Sequence, residues 1–244
     1  MAKVRYVGEK REMITRRKFL QYAPLVVAPV FGGCAGFPDD KPLVRFGVFA
    51  DAHYADAPSA DGRFYALSKA RVAEAAATFA AHGVDFAIEL GDFKDLARTE
   101  DGKPDPVRTA AFADEVEAAF ATFPGPRHHV LGNHEMDVLN KDEILAHFTN
   151  TGFARALPHY SFSVGGVTFI VLDACFNAQG EDYAGTPCNW TWTESTVPPA
   201  EIDWLRAELA RAPGFVAVFI HQRLDSAARA HHRVKNAEEV QDLE

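Results

Sequence analysis

Asp85-Phe86-Ala87-Ile88-Glu89-Leu90-Gly91-Asp92-Phe93-Lys94-Asp95 is the stretch that decides the fold. An apolar run of strand length breaks at a glycine and delivers two carboxylates. That is how an α/β scaffold presents ligands at the C-terminal edge of its sheet. The same pattern recurs on both sides. Upstream, residues 43–50 run into Asp51-Ala52-His53; downstream, residues 127–131 run into Gly132-Asn133-His134-Glu135. A fourth apolar run, 215–220, ends in His221. A single strand-end Asp or Asn often only caps the following turn. Four strand ends in series, each closing on carboxylate, imidazole or amide, predict one shared site.

The intervening segments read as helices and a hairpin. Residues 64–82 are alanine-rich with apolar positions at helical spacing, and Gly83 supplies the C-terminal stop. Residues 107–123 form a second helical pattern ended by Pro124-Gly125-Pro126, and 142–148 a short third. Residues 160–164 and 167–174 flank Gly165-Gly166, a hairpin signature. Pro198-Pro199 opens a helix over 200–211, and another begins near Asn236. The irregular stretch 176–197 is long enough to be functional. Strands alternating with helices, then a hairpin and another strand, predict a layered α/β fold with mixed sheets.

A chain of 244 residues, 48% hydrophobic and 24% charged, suits one soluble domain with a sizeable core. Its charge is split. Residues 1–33 carry seven Lys/Arg and two Asp/Glu, leaving 18 basic and 32 acidic residues in the remainder. Such a surface excludes a non-specific nucleic-acid binder, which needs a basic face. It remains compatible with a small anionic substrate if bound metal reverses the local field.

Thr15-Arg16-Arg17-Lys18-Phe19-Leu20 resembles a twin-arginine export signal. The apolar stretch 21–33 that follows is too short for a membrane span and holds two prolines. Phe31-Gly32-Gly33-Cys34 resembles a lipobox. Residues 1–34 are therefore expected to be a signal read by the twin-arginine export machinery, with a lipid anchor on Cys34. The protein would then be exported, periplasmic or membrane-anchored; the alternative is a plain cleaved signal with an incidental cysteine. Residues 35–42, with Gly36, Pro38 and Pro42, read as a linker, and 43–244 as the domain. Cys175 and Cys188 match no zinc spacing; they either close a loop in an oxidising compartment or stay as free thiols.

Asp51, His53, Asp92, Asn133 and His221 combine oxygen and nitrogen donors, which suits Mn, Fe or Zn better than Ca or Mg. One ion does not need five such groups. Two divalent ions about 3.5–4 Å apart, sharing a carboxylate, do, and such a pair clamps a phosphate ester and makes hydroxide from bound water near neutral pH.

With these motifs assembled, residues 43–225 resemble the calcineurin-like metallophosphoesterases. The match covers D-x-H, G-D-x-x-D, G-N-H-E and the later strand-end histidine, in family order. The resemblance implies a four-layer α-β-β-α sandwich with a dinuclear site at one edge. It implies Asp51 and His53 on the first metal, Asp92 bridging, and Asn133 and His221 on the second. His134 would protonate the leaving group or stabilise the phosphoryl oxygen, and Asp95 would orient His134 or its surroundings. The substrate would be a small phosphate mono- or diester. Residues 46–51, 128–135 and Trp204-Leu205 are similar to the manganese-dependent ADP-ribose/CDP-alcohol diphosphatases and related exported bacterial phosphoesterases. The former usually carry D-x-Q where this chain has Asp51-Ala52-His53. The family's later G-H-x-H segment is not matched after His221; Ala230-His231-His232 lacks its glycine and spacing. The sequence therefore reads as a C-terminally incomplete sandwich. Its rivals are an inactive remnant and a scaffold that serves partner binding.

Outside the motifs, Arg223 either reaches substrate phosphate or pairs with a surface acid. Trp190 and Trp192 either stack on a base or pack the long loop. Of His128 and His129, one is expected to pack and the other to lie near the site mouth.

Overall fold

The computed structural model describes residues 4–5, 13–14, 43–60, 62–225 and 233–243. The twin-arginine segment, the apolar stretch, Cys34, the linker and Ala230-His231-His232 lie outside the described residues. Near the N-terminus, β1 (Val4–Arg5) and β2 (Met13–Ile14) form a short antiparallel pair.

The first sheet has the order β3-β4-β5, all parallel: β3 is Phe46–Phe49, β4 Phe86–Glu89 and β5 Arg127–His129. These strands are shorter than the apolar runs that announce them, because the flanking residues turn away into loops. After β3 comes α1 (Tyr65–Ala81), which ends at Gly83, whose φ of 58° is the left-handed stop that a glycine adopts without strain. After β4 comes α2 (Pro106–Phe120). Asp105 caps it by accepting from the Arg108 amide at 3.0 Å, and Pro106 occupies the first turn, where no amide is needed. Beyond β5, a 3-10 turn (His134–Met136) leads to α3 (Lys141–Leu145), started by a capping box between Asn140 and Glu143.

The second sheet pairs β6 (Tyr160–Val164) antiparallel with β7 (Val167–Val171), and β7 parallel with β8 (Val216–Phe219). Gly165 and Gly166 both have positive φ, as a tight hairpin between right-twisted strands requires. Between β7 and β8 lies α4 (Pro199–Arg211), and α5 (Ala237–Gln241) follows β8.

Burial sorts these elements into four layers. Phe86, Ile88, Leu90 and Val130 of the first sheet meet Tyr160, Phe169, Val171 and Phe219 of the second in one buried cluster. Its centre is aromatic: Phe86 lies 5.1 Å from Phe46 and 4.7 Å from Phe169, between ring centroids. Side chains alternate along a strand, so Ala87 faces outward and joins Val72, Ala76, Phe112 and Val116 of α1 and α2. On the other side Ile170, Leu172 and Ile220 pack against Ile202 and Leu205 of α4 and Ala237 and Val240 of α5. The result is the α-β-β-α sandwich that the family resemblance implies.

The stretch 176–197 contains no helix or strand and is held by its own contacts and by bonds to the segment 136–139. Trp190 stacks on Tyr183 at 5.1 Å and donates its indole N–H to the Met136 carbonyl at 3.1 Å, so it packs the loop. Cys175 is buried and Cys188 exposed, and both are free thiols. His128 and His129 are both buried, which corrects the expectation that one lines the site mouth: His128 stacks on Phe162 at 3.8 Å between the sheets. Period-two alternation sends the neighbouring His129 to the helix side. Among the described residues, no helix is long and apolar enough to cross a membrane.

Candidate metal centre

The loops after β3, β4 and β5 converge at one edge of the first sheet. The ladder between β3 and β4 does not stop with the strands. Asp51 N–H donates to the Gly91 carbonyl at 3.0 Å, His53 N–H to Asp92 at 2.9 Å and Tyr54 N–H to Phe93 at 3.1 Å. Two loops full of ligand groups are thereby locked in register.

Three non-glycine residues have positive φ among the described residues: Asp51 at 57°, His53 at 48° and Asp92 at 57°. All three are candidate ligands. Left-handed backbone at residues with a Cβ costs on the order of 1–3 kcal/mol each and persists only where the surroundings enforce it. That strain aims side chains across the loops rather than along them.

Asp92 is the centre. It is buried. Its Oδ1 accepts the His134 backbone N–H at 2.9 Å. Its Oδ2 lies 3.6 Å from His53 Nε2 and 3.4 Å from His221 Nε2, facing both imidazoles at once. Asp51 Oδ1 is 4.0 Å from His53 Nε2, and Asp51, Asp92 and His221 form one cluster able to hold a cation. His221 Nδ1 donates to the Leu90 carbonyl at 2.7 Å, which turns Nε2 toward the site. Glycine is required beside these groups: a Cβ on Gly91 would come within 2.7 Å of His221 Nδ1, and one on Gly132 would overlap Asp92. Asn133 heads the 3-10 turn immediately after Gly132, and its side chain makes no capping bond to that turn.

Glu135 clamps two loops together. Its Oε2 accepts from the amides of Asp92 (2.8 Å) and Gly132 (2.7 Å), and its Oε1 from Phe93 (2.8 Å). Asp95 lies 3.2 Å from His53 Nδ1 and 3.7 Å from His134 Nδ1. The nearer partner of His134 is Asp137, whose Oδ2 is 3.1 Å from Nδ1. Lys94, fully buried, donates to the His134 carbonyl and lies 3.7 Å from Asp137. Asp137 and Lys94 carry no motif signal. The i,i+3 spacing from His134 to Asp137 within a helical turn is the one cue that links that pair.

These charges act on one another. Burial raises the Asp92 carboxyl, but His221 first, then His134 and His53, hold it well below the usual carboxylate range. Burial works against charge on His134; the Asp137 hydrogen bond and the Asp92 and Asp95 carboxylates override it and lift the imidazole to about 9. His221 is lifted to about 9 as well, with Asp92 outweighing burial. A cation entering between these groups would displace such protons.

The sequence candidates Asp51, His53, Asp92, Asp95, His134 and His221 are thus brought together, with Asn133 on the adjoining loop. Arg223 is not among them; it makes a bidentate pair with Asp225 at 2.9 and 3.0 Å. Above Asp51 and His53 opens a cleft of about 370 Å³ walled by Arg63, Phe64, Leu67, Ser68 and Arg71. Arg63 also reaches Asp95 at 3.2 Å.

The donor set fits divalent metal: the Asp51 and Asp92 carboxylates and the His53 and His221 imidazoles, with Nε2 turned inward, lie around an Asp92 oxygen that faces both rings, and Asn133 stands on the adjoining loop.

Comparison with known proteins follows the same line. A manganese-dependent ADP-ribose/CDP-alcohol diphosphatase from Oryza sativa subsp. japonica is 32% identical over 151 residues, covering 57% of this chain and 44% of that protein. One of the same name from Arabidopsis thaliana is 33% identical over 113 residues, covering 43% of this chain and 34% of that protein. The chain therefore spans less than half the length of these curated relatives. A crystal structure of a dimetal phosphatase from Danio rerio superposes with a TM-score of 0.65 at 20% identity, over 83% of this chain and 77% of that one. No family model matches the chain.

Proposed function

We propose that this chain is a metallophosphoesterase of the calcineurin-like kind and hydrolyses phosphate mono- or diesters at a dinuclear metal site; its motifs, the partial relatives and the similar fold support that reading. The observation that carries the reading is Asp92 Oδ2, set between His53 Nε2 and His221 Nε2 with its other oxygen already taken by a backbone amide. Asp51 and His53 would hold one ion, Asn133 and His221 the other, and Asp92 both. Bound divalent ions of the Mn, Fe or Zn type would neutralise phosphate charge and activate water.

The chain's own groups do the rest. His134, held at Nδ1 by Asp137, keeps a proton available at Nε2 for the leaving oxygen. Arg63 and Arg71, paired with Asp95 and Glu74, line one side of the cleft, and Phe64 and Leu67, 62% and 55% exposed, give it an apolar wall. The names of the relatives specify ADP-ribose and CDP-alcohols, and such compounds are the first probes to try beside aryl phosphates.

The test is the purified 244-residue chain titrated with Mn²⁺ and assayed on an aryl phosphate monoester and diester. Asp92→Asn should lose more bound metal than Asn133→Ala, since only the former serves both ions. Wild-type protein that neither binds Mn²⁺ nor hydrolyses any ester refutes the proposal. Export rests on the arginine pair: Arg16→Lys with Arg17→Lys should keep in the cytosol a protein that otherwise leaves it, and identical fractionation of both forms refutes that part.

A further inference from the structure

The Gly91-Asp92 turn is held from beneath by a buried ionic chain that takes no part in the chemistry. All three carbonyls of residues 91–93 accept bonds from the loop after β3. The amides of Asp92 and Phe93 go to Glu135. The remaining amide, Gly91 N–H, is bound at 2.6 Å by Oε1 of Glu89, the last residue of β4 and wholly buried. Glu89 Oε2 lies 3.4 Å from His129 Nδ1 on the neighbouring strand. His129 Nε2 is 3.0 Å from Glu117 on α2, and Glu117 is 3.4 Å from the Arg127 guanidinium. The His129 ring is fixed by stacking on Phe148 at 4.5 Å.

We propose that Glu89 is a positioning residue for the metal centre: supported by His129, Glu117 and Arg127, it pins Gly91 and so keeps Asp92 in the left-handed conformation that aims its carboxylate at both sides. The inference rests on the reading of Asp92 as a metal ligand. Its physical basis is the strain at Asp92. A residue at φ 57° relaxes once its surroundings stop enforcing the turn. Gly91, at φ 92°, resists no rotation of its own, so its amide is the point at which the turn must be pinned. Burial pushes the Glu89 carboxyl up to about 8 while His129 pulls it down, and His129 is itself lifted to about 9, Glu117 and Glu89 outweighing its burial. The two are therefore one unit, and the acceptor on Glu89 keeps its orientation through the imidazole.

The measurement is Mn²⁺ affinity by calorimetry, on variants shown to be folded by circular dichroism. Glu89→Gln keeps an acceptor for Gly91 and should bind Mn²⁺ within about threefold of wild type. Glu89→Leu has none and should bind about 10–100-fold more weakly, the usual scale for supporting groups around metal ligands. A merely structural residue would lower the melting temperature in both without moving the affinity. Equal weakening in Glu89→Gln and Glu89→Leu would show a charge effect and overturn positioning; wild-type affinity in Glu89→Leu would overturn it too. Should Glu89→Leu fail to fold, His129→Phe keeps the stack on Phe148 but strips Glu89 of its cation. It should weaken Mn²⁺ binding at least threefold, and unchanged affinity there sinks the proposal. Wild-type protein that binds no Mn²⁺ would instead refute the metal reading itself.

Discussion

Replacing Glu135 by glutamine changes one atom and should be among the most destabilising substitutions at the site edge. The carboxylate is fully buried and accepts three backbone N–H bonds, from Asp92, Phe93 and Gly132. Bonds to a charged acceptor contribute about 1.5–3 kcal/mol each. A glutamine oxygen in the Oε2 position keeps the Asp92 and Gly132 amides without the charge. Its amide nitrogen then faces Phe93 N–H, donor against donor, and a buried unsatisfied donor costs about 1–3 kcal/mol. Allowing for local relaxation, the net loss is about 2–4 kcal/mol, a large share of the roughly 5–15 kcal/mol that holds a domain together. For a chain of this size that lowers the melting temperature by about 5–15 °C. Urea and thermal unfolding at pH 7, with metal chelated, give the number directly. A Glu135→Gln protein within about 0.5 kcal/mol of wild type, the scatter of ordinary surface changes, would refute the clamp.

Three more outcomes follow from the same geometry. Asp137→Ala should keep its metal but slow esters with poor leaving groups by about 10–100-fold, a fraction of the 10²–10⁴ of a positioned acid, with aryl esters affected less; steady-state rates across a leaving-group series read it. Asp51→Gly should relieve left-handed strain and raise the stability of chelated protein by about 0.5–1 kcal/mol while weakening Mn²⁺ binding; a drop in melting temperature would contradict the strain argument. Burial first, then the charge of His129, holds His128 down to about 3, whereas an unfolded imidazole takes its proton near about 6.5. Stability should therefore fall as pH drops from about 6.5 toward 3, by up to about 1.4 kcal/mol per pH unit. His128→Phe, measured by urea melts across that window, should lose this component of the slope.

The ligand groups were legible because strand ends are local. Residues 85–95 carry both the apolar run and the carboxylates, and β4 lies inside that run. Asp92, Asn133 and His221 were found by the same rule. Strand lengths were overcalled, since an apolar residue such as Leu43, 60% exposed, reads as strand without being paired. What stayed hidden is contact across distant segments. Lys94 meets His134 and Asp137 only after the loops from β4 and β5 are brought together. His128 and His129 are adjacent in sequence, and alternation sends one between the sheets and the other toward α2. The sequence leaves Arg223 open between substrate and surface, and its bidentate Asp225 lies only two residues on. A short-range rule for such pairs would have separated the alternatives.

The ladder that continues past β3 and β4 into the loops has a consequence for how such a site can change over time. Where Asp51, His53 and Asp92 stand is set by backbone bonds between the loops, with Glu89 and Glu135 as supports, and these bonds involve none of the three residues' own side-chain atoms. Position and chemistry are therefore inherited separately. A single codon change at residue 53, histidine to glutamine for instance, would alter donor hardness and metal preference while the main chain keeps its address. Drift among metals, and among substrates suited to them, can then proceed by point mutation without passing through an unfolded intermediate ancestor.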